Sequence, residues 1–135
     1  MLDIDHFKSV NDTFGHPTGD RVLKSLAQML TRRLRKTDVV GRYGGEEFAI
    51  ILANTTGERA HAIIDDIRAR FSRVRHRHEE DVFTVTFSGG VAEFPRFTTD
   101  ESLSNTADAA LYEAKNGGRD RMVLAGARKT PENGA

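Results

Sequence analysis

The chain has 135 residues, enough for one domain with a single hydrophobic core. Its 20 basic and 20 acidic residues cancel, so no net charge draws it toward nucleic acid or an anionic membrane. There is no cysteine, which excludes disulfides and thiolate metal sites and fits a reducing compartment. No apolar run approaches membrane-spanning length and no signal-peptide pattern opens the chain, so the expected location is cytoplasmic. The composition fits a soluble domain, or one cut from a larger protein.

The chain opens on Leu2-Asp3-Ile4-Asp5-His6-Phe7-Lys8-Ser9-Val10-Asn11-Asp12. A short apolar start with alternating acids puts Asp3 and Asp5 on one face of a strand end. Phe7, Val10 and Phe14 then fall at helical spacing. Asp5 is a possible cap for that helix, which leaves Asp3 as the better ligand candidate. Gly15-His16-Pro17-Thr18-Gly19 is rich in breakers and predicts a loop. Val22, Leu23, Leu26, Ala27, Leu30 and Leu34 mark one face of a long amphipathic helix.

Two strands are expected next, over Asp38–Tyr43 and Phe48–Leu52, joined at Gly44-Gly45. A Gly-Gly pair between such runs signals a hairpin, because glycine reaches positive φ without steric cost. Glu46 and Glu47 then stand at the tip, beside a backbone with no side chain to block a ligand. Alone, this is as readily a charged solvent-facing turn. With the N-terminal acids it becomes a candidate centre for a hard divalent cation and the phosphates it carries.

Ala60, Ile63, Ile64, Ile67, Phe71 and Val74 give a further helix, and residues 76–81 a polar connection. Phe83, Val85 and Phe87 alternate with Thr84, Thr86 and Ser88 as a half-buried strand. Thr98-x-x-Glu101 reads as a capping box opening a helix through Leu103, Ala107, Ala110, Leu111 and Ala114. Met122-Val123-Leu124 predicts a last short strand, and 125–135 a disordered tail. The order of elements indicates an α/β (α+β) sandwich, one mixed, largely antiparallel sheet flanked by helices.

Five ordered stretches resemble the GGDEF family of diguanylate cyclases, here in a GGEEF form, over residues 1–124. They are Asp3–Lys8 with Asn11-Asp12; Phe14-Gly15-His16 with Gly19-Asp20; Arg42–Phe48; Thr86–Val91; and Ala107-Asp108 through Tyr112–Lys115 with Gly118-Arg119. The resemblance implies a ferredoxin-like nucleotide-cyclase palm and the condensation of two GTP into cyclic di-GMP by a homodimer. It implies a magnesium site, with manganese as a substitute, at Asp3, the Ile4 carbonyl, Glu46 and Glu47. Glu46 also matches the proposed general base, and Lys8 a group that stabilises the transition state.

The resemblance further makes Lys115 and Arg119 phosphate clamps and Asn11 and Asp20 guanine readers, with Phe7, Gly44 and Gly45 completing the substrate side. Arg35 and Asp38 match an Arg-x-x-Asp product-inhibition site. Outside that pattern several of these residues have ordinary explanations. Lys8 is a solvated helix lysine, Asp20 an N-terminal capping or first-turn acid of the long helix, and Lys115 and Arg119 favourable charges near a helix C-terminus. His16 has no derivable role. A non-catalytic cyclic di-GMP receptor or a dimerisation module are the alternative functions. The family's usual lead-in helices are absent. The resemblance therefore implies an N-terminally truncated domain, whose first strand has only Met1 and Leu2 ahead of Asp3 and is too short to pair along its neighbours.

Overall fold

The computed structural model describes residues 1–94 and 99–126. In chain order the elements are β1 (Leu2–Ile4), α1 (Phe7–Phe14), α2 (His16–Arg33), β2 (Val39–Arg42), β3 (Glu47–Ile51) and α3 (Gly57–Phe71). They continue with β4 (His76–His78), β5 (Asp81–Phe83), β6 (Phe87–Val91), α4 (Asp100–Asn116) and β7 (Met122–Leu124).

Five strands form one sheet in the order β2-β3-β1-β6-β7. All neighbours are antiparallel except β6 and β7, so the expected mixed, largely antiparallel sheet is present. The first strand lies at its centre and pairs on both sides. Leu2 and Asp3 face Phe48 and Glu47 on β3, and Leu2, Asp3 and Ile4 face Gly89, Ser88 and Phe87 on β6. The expectation that this strand is too short to pair is therefore corrected. Three residues suffice because Leu2 and Ile4 are both 1 % exposed and share one core with both neighbours.

That core lies between one sheet face and helices α2 and α3. Leu2, Ile4, Phe48 and Phe87 meet Val22, Leu26 and Leu30 from α2 and Ile64, Ile67 and Phe71 from α3. Burying each such side chain contributes about 1.5–3 kcal/mol. Helix α4 covers the other face over β6 and β7. It sits flush, because a Cβ on Gly90 would collide with the Ala107 carbonyl and the Leu111 amide. Over β2 and β3 this face is open, leaving Val39 and Ile51 exposed.

Several local expectations change. The breaker-rich stretch is not a loop, since α2 starts at His16 directly after Gly15, whose φ is 92°. Pro17 sits in the first turn, where a missing N–H costs nothing. The 76–81 connection is the β4–β5 hairpin, a separate two-stranded sheet in which Phe83 stacks on Phe14 at 4.2 Å. The strand expected over 83–88 splits between β5 and β6, with 84–86 belonging to neither. Helix α4 is capped by Thr99, whose hydroxyl accepts from the Ser102 N–H. Thr98 lies outside the described residues, as does the expected tail from 127 onward.

Candidate functional site

The acidic elements meet where β1 and β3 lie side by side. Asp3 and Glu47 are directly opposite in the ladder, so their side chains share one face. Like charges in that arrangement destabilise a sheet unless a cation lies between them. The cation present is Lys115 from the last turn of α4, whose Nζ is 2.7 Å from Asp3 Oδ2. Asp3 is 7 % exposed, so this is a largely buried ion pair.

Glu46 ends the turn, and its carbonyl accepts the Ile4 N–H at 3.2 Å, tying the turn to β1. Burial raises the Glu46 pKa above the usual carboxylate range; Asp3 adds to the rise, Lys115 opposes it and Glu47 adds again. The turn differs from the expected two-residue Gly-Gly hairpin. Tyr43 N–H donates to the Glu47 carbonyl at 2.9 Å, so the loop spans Tyr43–Glu46 and Glu47 already belongs to β3. Gly44 and Gly45 are not among the described residues with positive φ. A side chain at Gly45 would meet open space, so what the two glycines supply is a bare approach to the acids.

The donors here are all hard oxygens, namely the Asp3, Glu46 and Glu47 carboxylates with the Ile4 carbonyl, which is the chemistry magnesium takes. Among the described residues no three acidic or histidine side chains are already arranged around a common point. Lys115 holds the position a metal would neutralise.

Lys8 is not brought to the acids. It lies exposed on α1, paired with Asp12 at 3.1 Å. Asn11 is half-buried in the α1–α2 corner, and its Oδ1 is buried without a hydrogen-bond partner. Gly19 faces it, and a Cβ there would fall on Asn11 Oδ1 and crowd Phe7, which is 8 % exposed. Asp20 follows on the exposed surface of α2. It is neither cap nor first-turn acid, because α2 is preceded by Gly15 and has no acid in its first turn. His16 is the first residue of that helix and is exposed.

Arg119 is exposed in the turn after α4, its N–H bonded to the Ala114 carbonyl at 3.0 Å. It and Asp120 have φ of 64° and 47°, and each such non-glycine residue costs roughly 1 kcal/mol or more. Asp5 does not cap α1, whose preceding residue His6 makes no side-chain cap bond. Its carboxylate accepts instead from Thr86 Oγ1, Ser88 Oγ and Asp120 N–H.

At the other end of the β2–β3 hairpin Arg35 and Asp38 form an ion pair at 3.2 Å. Arg35 Nη2 also donates to the Ala53 carbonyl at 2.6 Å and to Thr55 Oγ1 at 2.9 Å. Asp38, with its side chain 3 % exposed, accepts from the Arg35 and Ala53 backbone N–H groups as well. Burial alone pushes its pKa up, but the hydrogen bonds from Arg35 and Ala53 outweigh that and hold it below the usual range. Ala53 and Thr55 were not singled out by the sequence, and nothing local in it marks them.

The chain and its fold have known counterparts. The family model described as "Diguanylate cyclase, GGDEF domain" matches residues 1–121. Diguanylate cyclase DgcP of Pseudomonas aeruginosa is 41 % identical over 125 residues, covering 93 % of this chain and 19 % of that protein. Diguanylate cyclase A of Treponema denticola is 39 % identical over 125 residues, covering 92 % of this chain and 34 % of that one. This chain thus spans between about a fifth and a third of the length of these two relatives.

Among solved structures, the GGDEF domain of DgcB from Caulobacter crescentus in complex with c-di-GMP superposes with a TM-score of 0.86 at 38 % identity. The match covers 92 % of this chain and 74 % of that one. The active GGEEF domain of a diguanylate cyclase from Vibrio cholerae gives 0.85 at 35 %, covering 96 % and 81 %. With sequence and fold matched over nearly its whole length, the chain belongs to the GGDEF-domain diguanylate cyclase family.

Proposed function

We propose that this domain is an active diguanylate cyclase, condensing two GTP into cyclic di-GMP with release of two pyrophosphates. The observation that carries this is the opposition of Asp3 and Glu47 across β1 and β3, with Glu46 beside them. Acids so placed need positive charge, of which the fold supplies only Lys115, and a nucleotide-bound cation supplies more.

In this reading each ribose 3′-hydroxyl attacks the α-phosphate of the other GTP, and pyrophosphate leaves with the displaced electron pair. Asp3, the Ile4 carbonyl, Glu46 and Glu47 hold magnesium, or manganese in its place. When bound, the ion supplies charge neutralisation at the phosphoryl oxygens and acidifies a hydroxyl near it. Glu46 stands where the general base that accepts the 3′ proton is expected. Lys115 and Arg119 take the β- and γ-phosphates, Arg119 through a planar fork suited to bidentate contact.

Asn11 and Asp20 read guanine beside Phe7. The unpaired Asn11 Oδ1 is the kind of buried acceptor that a ligand donor satisfies. Gly44 and Gly45 leave room for the phosphates. Lys8 reaches the reacting centre only by leaving Asp12, and its role is to neutralise charge there. Since each domain holds one GTP, two domains face each other about a two-fold axis and the working unit is a homodimer. Arg35 and Asp38 bind cyclic di-GMP and slow the reaction as it accumulates.

The test is incubation of the purified chain with GTP and magnesium, resolving nucleotides by chromatography and assaying pyrophosphate. Cyclic di-GMP and pyrophosphate in a 1:2 ratio are expected from the stoichiometry, and neither from Asp3→Asn. Tight binding of cyclic di-GMP without turnover of GTP would replace this reading with a receptor.

A further inference from the structure

Asp5 is an acid at the active end of β1 that the chemistry above leaves unused. It is 5 % exposed and accepts Thr86 Oγ1 at 2.7 Å, Ser88 Oγ at 2.7 Å and Asp120 N–H at 3.0 Å. The first two partners come from the neighbouring chain segment and strand β6. The third comes from the turn after α4, 115 residues away.

That turn is unusual in holding two consecutive non-glycine residues, Arg119 and Asp120, in the left-handed region. Such a conformation persists only where its surroundings impose it. It is held from two sides. The Asp120 N–H is fixed to Asp5, and Asp120 Oδ1 to Arg68 Nη1 of α3 at 2.6 Å, with Arg68 Nε bonded in turn to Asp65. Arg119 projects from the held turn.

A buried carboxylate could serve only to satisfy the Thr86 and Ser88 hydroxyls. The third bond argues for more, since it reaches a strained turn next to a basic side chain that faces solvent. Asp5 also lies two residues from Asp3, so one short strand fixes both the acid of the phosphate centre and the turn that carries Arg119. We infer that Asp5 is a positioning residue for the terminal phosphates of the nucleoside triphosphate, acting by holding the 119–120 turn. This rests on the reading of Arg119 as a phosphate clamp.

The experiment is calorimetric titration of a non-hydrolysable GTP analogue with magnesium into the parent, Asp5→Asn, Arg119→Ala and the double variant, with GMP as a second probe. Asn keeps the size of Asp5 but removes its charge, which weakens the bond from the Asp120 N–H along with the two hydroxyl bonds. Asp5→Asn should weaken the triphosphate on the order of tenfold, as loss of a supporting bond around a binding group does. The double variant should bind no more weakly than Arg119→Ala, and GMP affinity should not change.

Losses that multiply in the double variant, or an equal loss for GMP, would make Asp5 a fold-stabilising group and overturn the inference. Full affinity in Arg119→Ala would overturn the clamp, and the inference with it. Should Asp5→Asn fail to fold, Asp120→Ala frees the turn from Arg68 at a side chain 46 % exposed, without touching the core. The same non-additivity with Arg119→Ala is expected, and additive losses overturn the proposal.

Discussion

The two ends of the β2–β3 hairpin are built on opposite electrostatic plans. At the turn end Asp3 and Glu47 face each other, Glu46 is pushed toward its protonated form, and one lysine from a distant helix offsets the excess of negative charge. At the open end a single buried carboxylate, Asp38, is oversupplied with donors and held ionised. The first end is incomplete without a further cation, so a ligand that brings one gains from being there. The second is already satisfied, and a ligand must bind to what Arg35 leaves free. In the proposed function the chemistry falls at the former and product inhibition, a slow brake, at the latter.

The sharpest way to break this contrast is to remove charge at the turn end. Asp3→Asn and Glu46→Gln are each expected to lower turnover on the order of 100-fold or more, since the centre acts electrostatically. Circular dichroism should show the fold kept. Near-parental rates in either would mean that the two ends do not differ as described.

A second test removes the lysine. In Lys115→Met, manganese added without nucleotide should bind about tenfold more tightly, because Asp3 loses its competing partner. Paramagnetic titration reads this directly, and an unchanged affinity would show that the ion pair does not compete with metal.

At the open end Arg35→Ala should relieve the levelling-off of progress curves while leaving the initial rate intact. It should also cost about 1–2 kcal/mol in urea denaturation, since Asp38 stays buried with fewer donors. Parental curvature with product accumulating would remove the brake from that site.

The smallest effect is a difference in pH response. Glu46 has a raised folded pKa, so its contribution is present below about pH 4.5 and is lost as pH rises through the folded value. Glu46→Gln should then match the parent in acid and melt slightly higher at pH 7. Asp38 is depressed, so its contribution is present above about pH 3.8 and lost as pH falls through its folded value. Asp38→Asn should therefore be less stable than the parent at pH 7 and approach it in strong acid. Thermal melts of the three proteins across pH 3–8 check both signs.

Much of this was legible because it is local. The 3.6-residue spacing of α2 and α3, the apolar β7, and the acids on β1 and at the turn all lie within short windows of sequence. What failed was local signal with more than one structural meaning. Pro17 reads as a breaker yet is tolerated in a first helical turn. The alternation over 83–88 reads as one strand, but 84–86 leave the ladder and Thr86 spends its hydroxyl on Asp5. Gly44-Gly45 signals a hairpin correctly, while the positive φ on which that signal rests is not used. Beyond the reach of spacing are the pairings of Asp3 with Lys115 and Asp5 with Asp120, across 112 and 115 residues. They exist because the chain after α4 returns alongside β1 through β6, which only the sheet order reveals.

Gly90 gives that return a fixed gauge. With the Ala107 carbonyl and the Leu111 amide pressed onto a position that has no side chain, α4 lies as near the sheet as backbone can. The height of the whole helix above β6 is thereby set by one absent methyl group. Lys115 sits in the last turn of that same rigid rod. Its reach to Asp3 is consequently a matter of side-chain length, not of helix placement. Bulk added beneath the helix, even one carbon at Gly90, would tilt the rod and carry Lys115 away from Asp3.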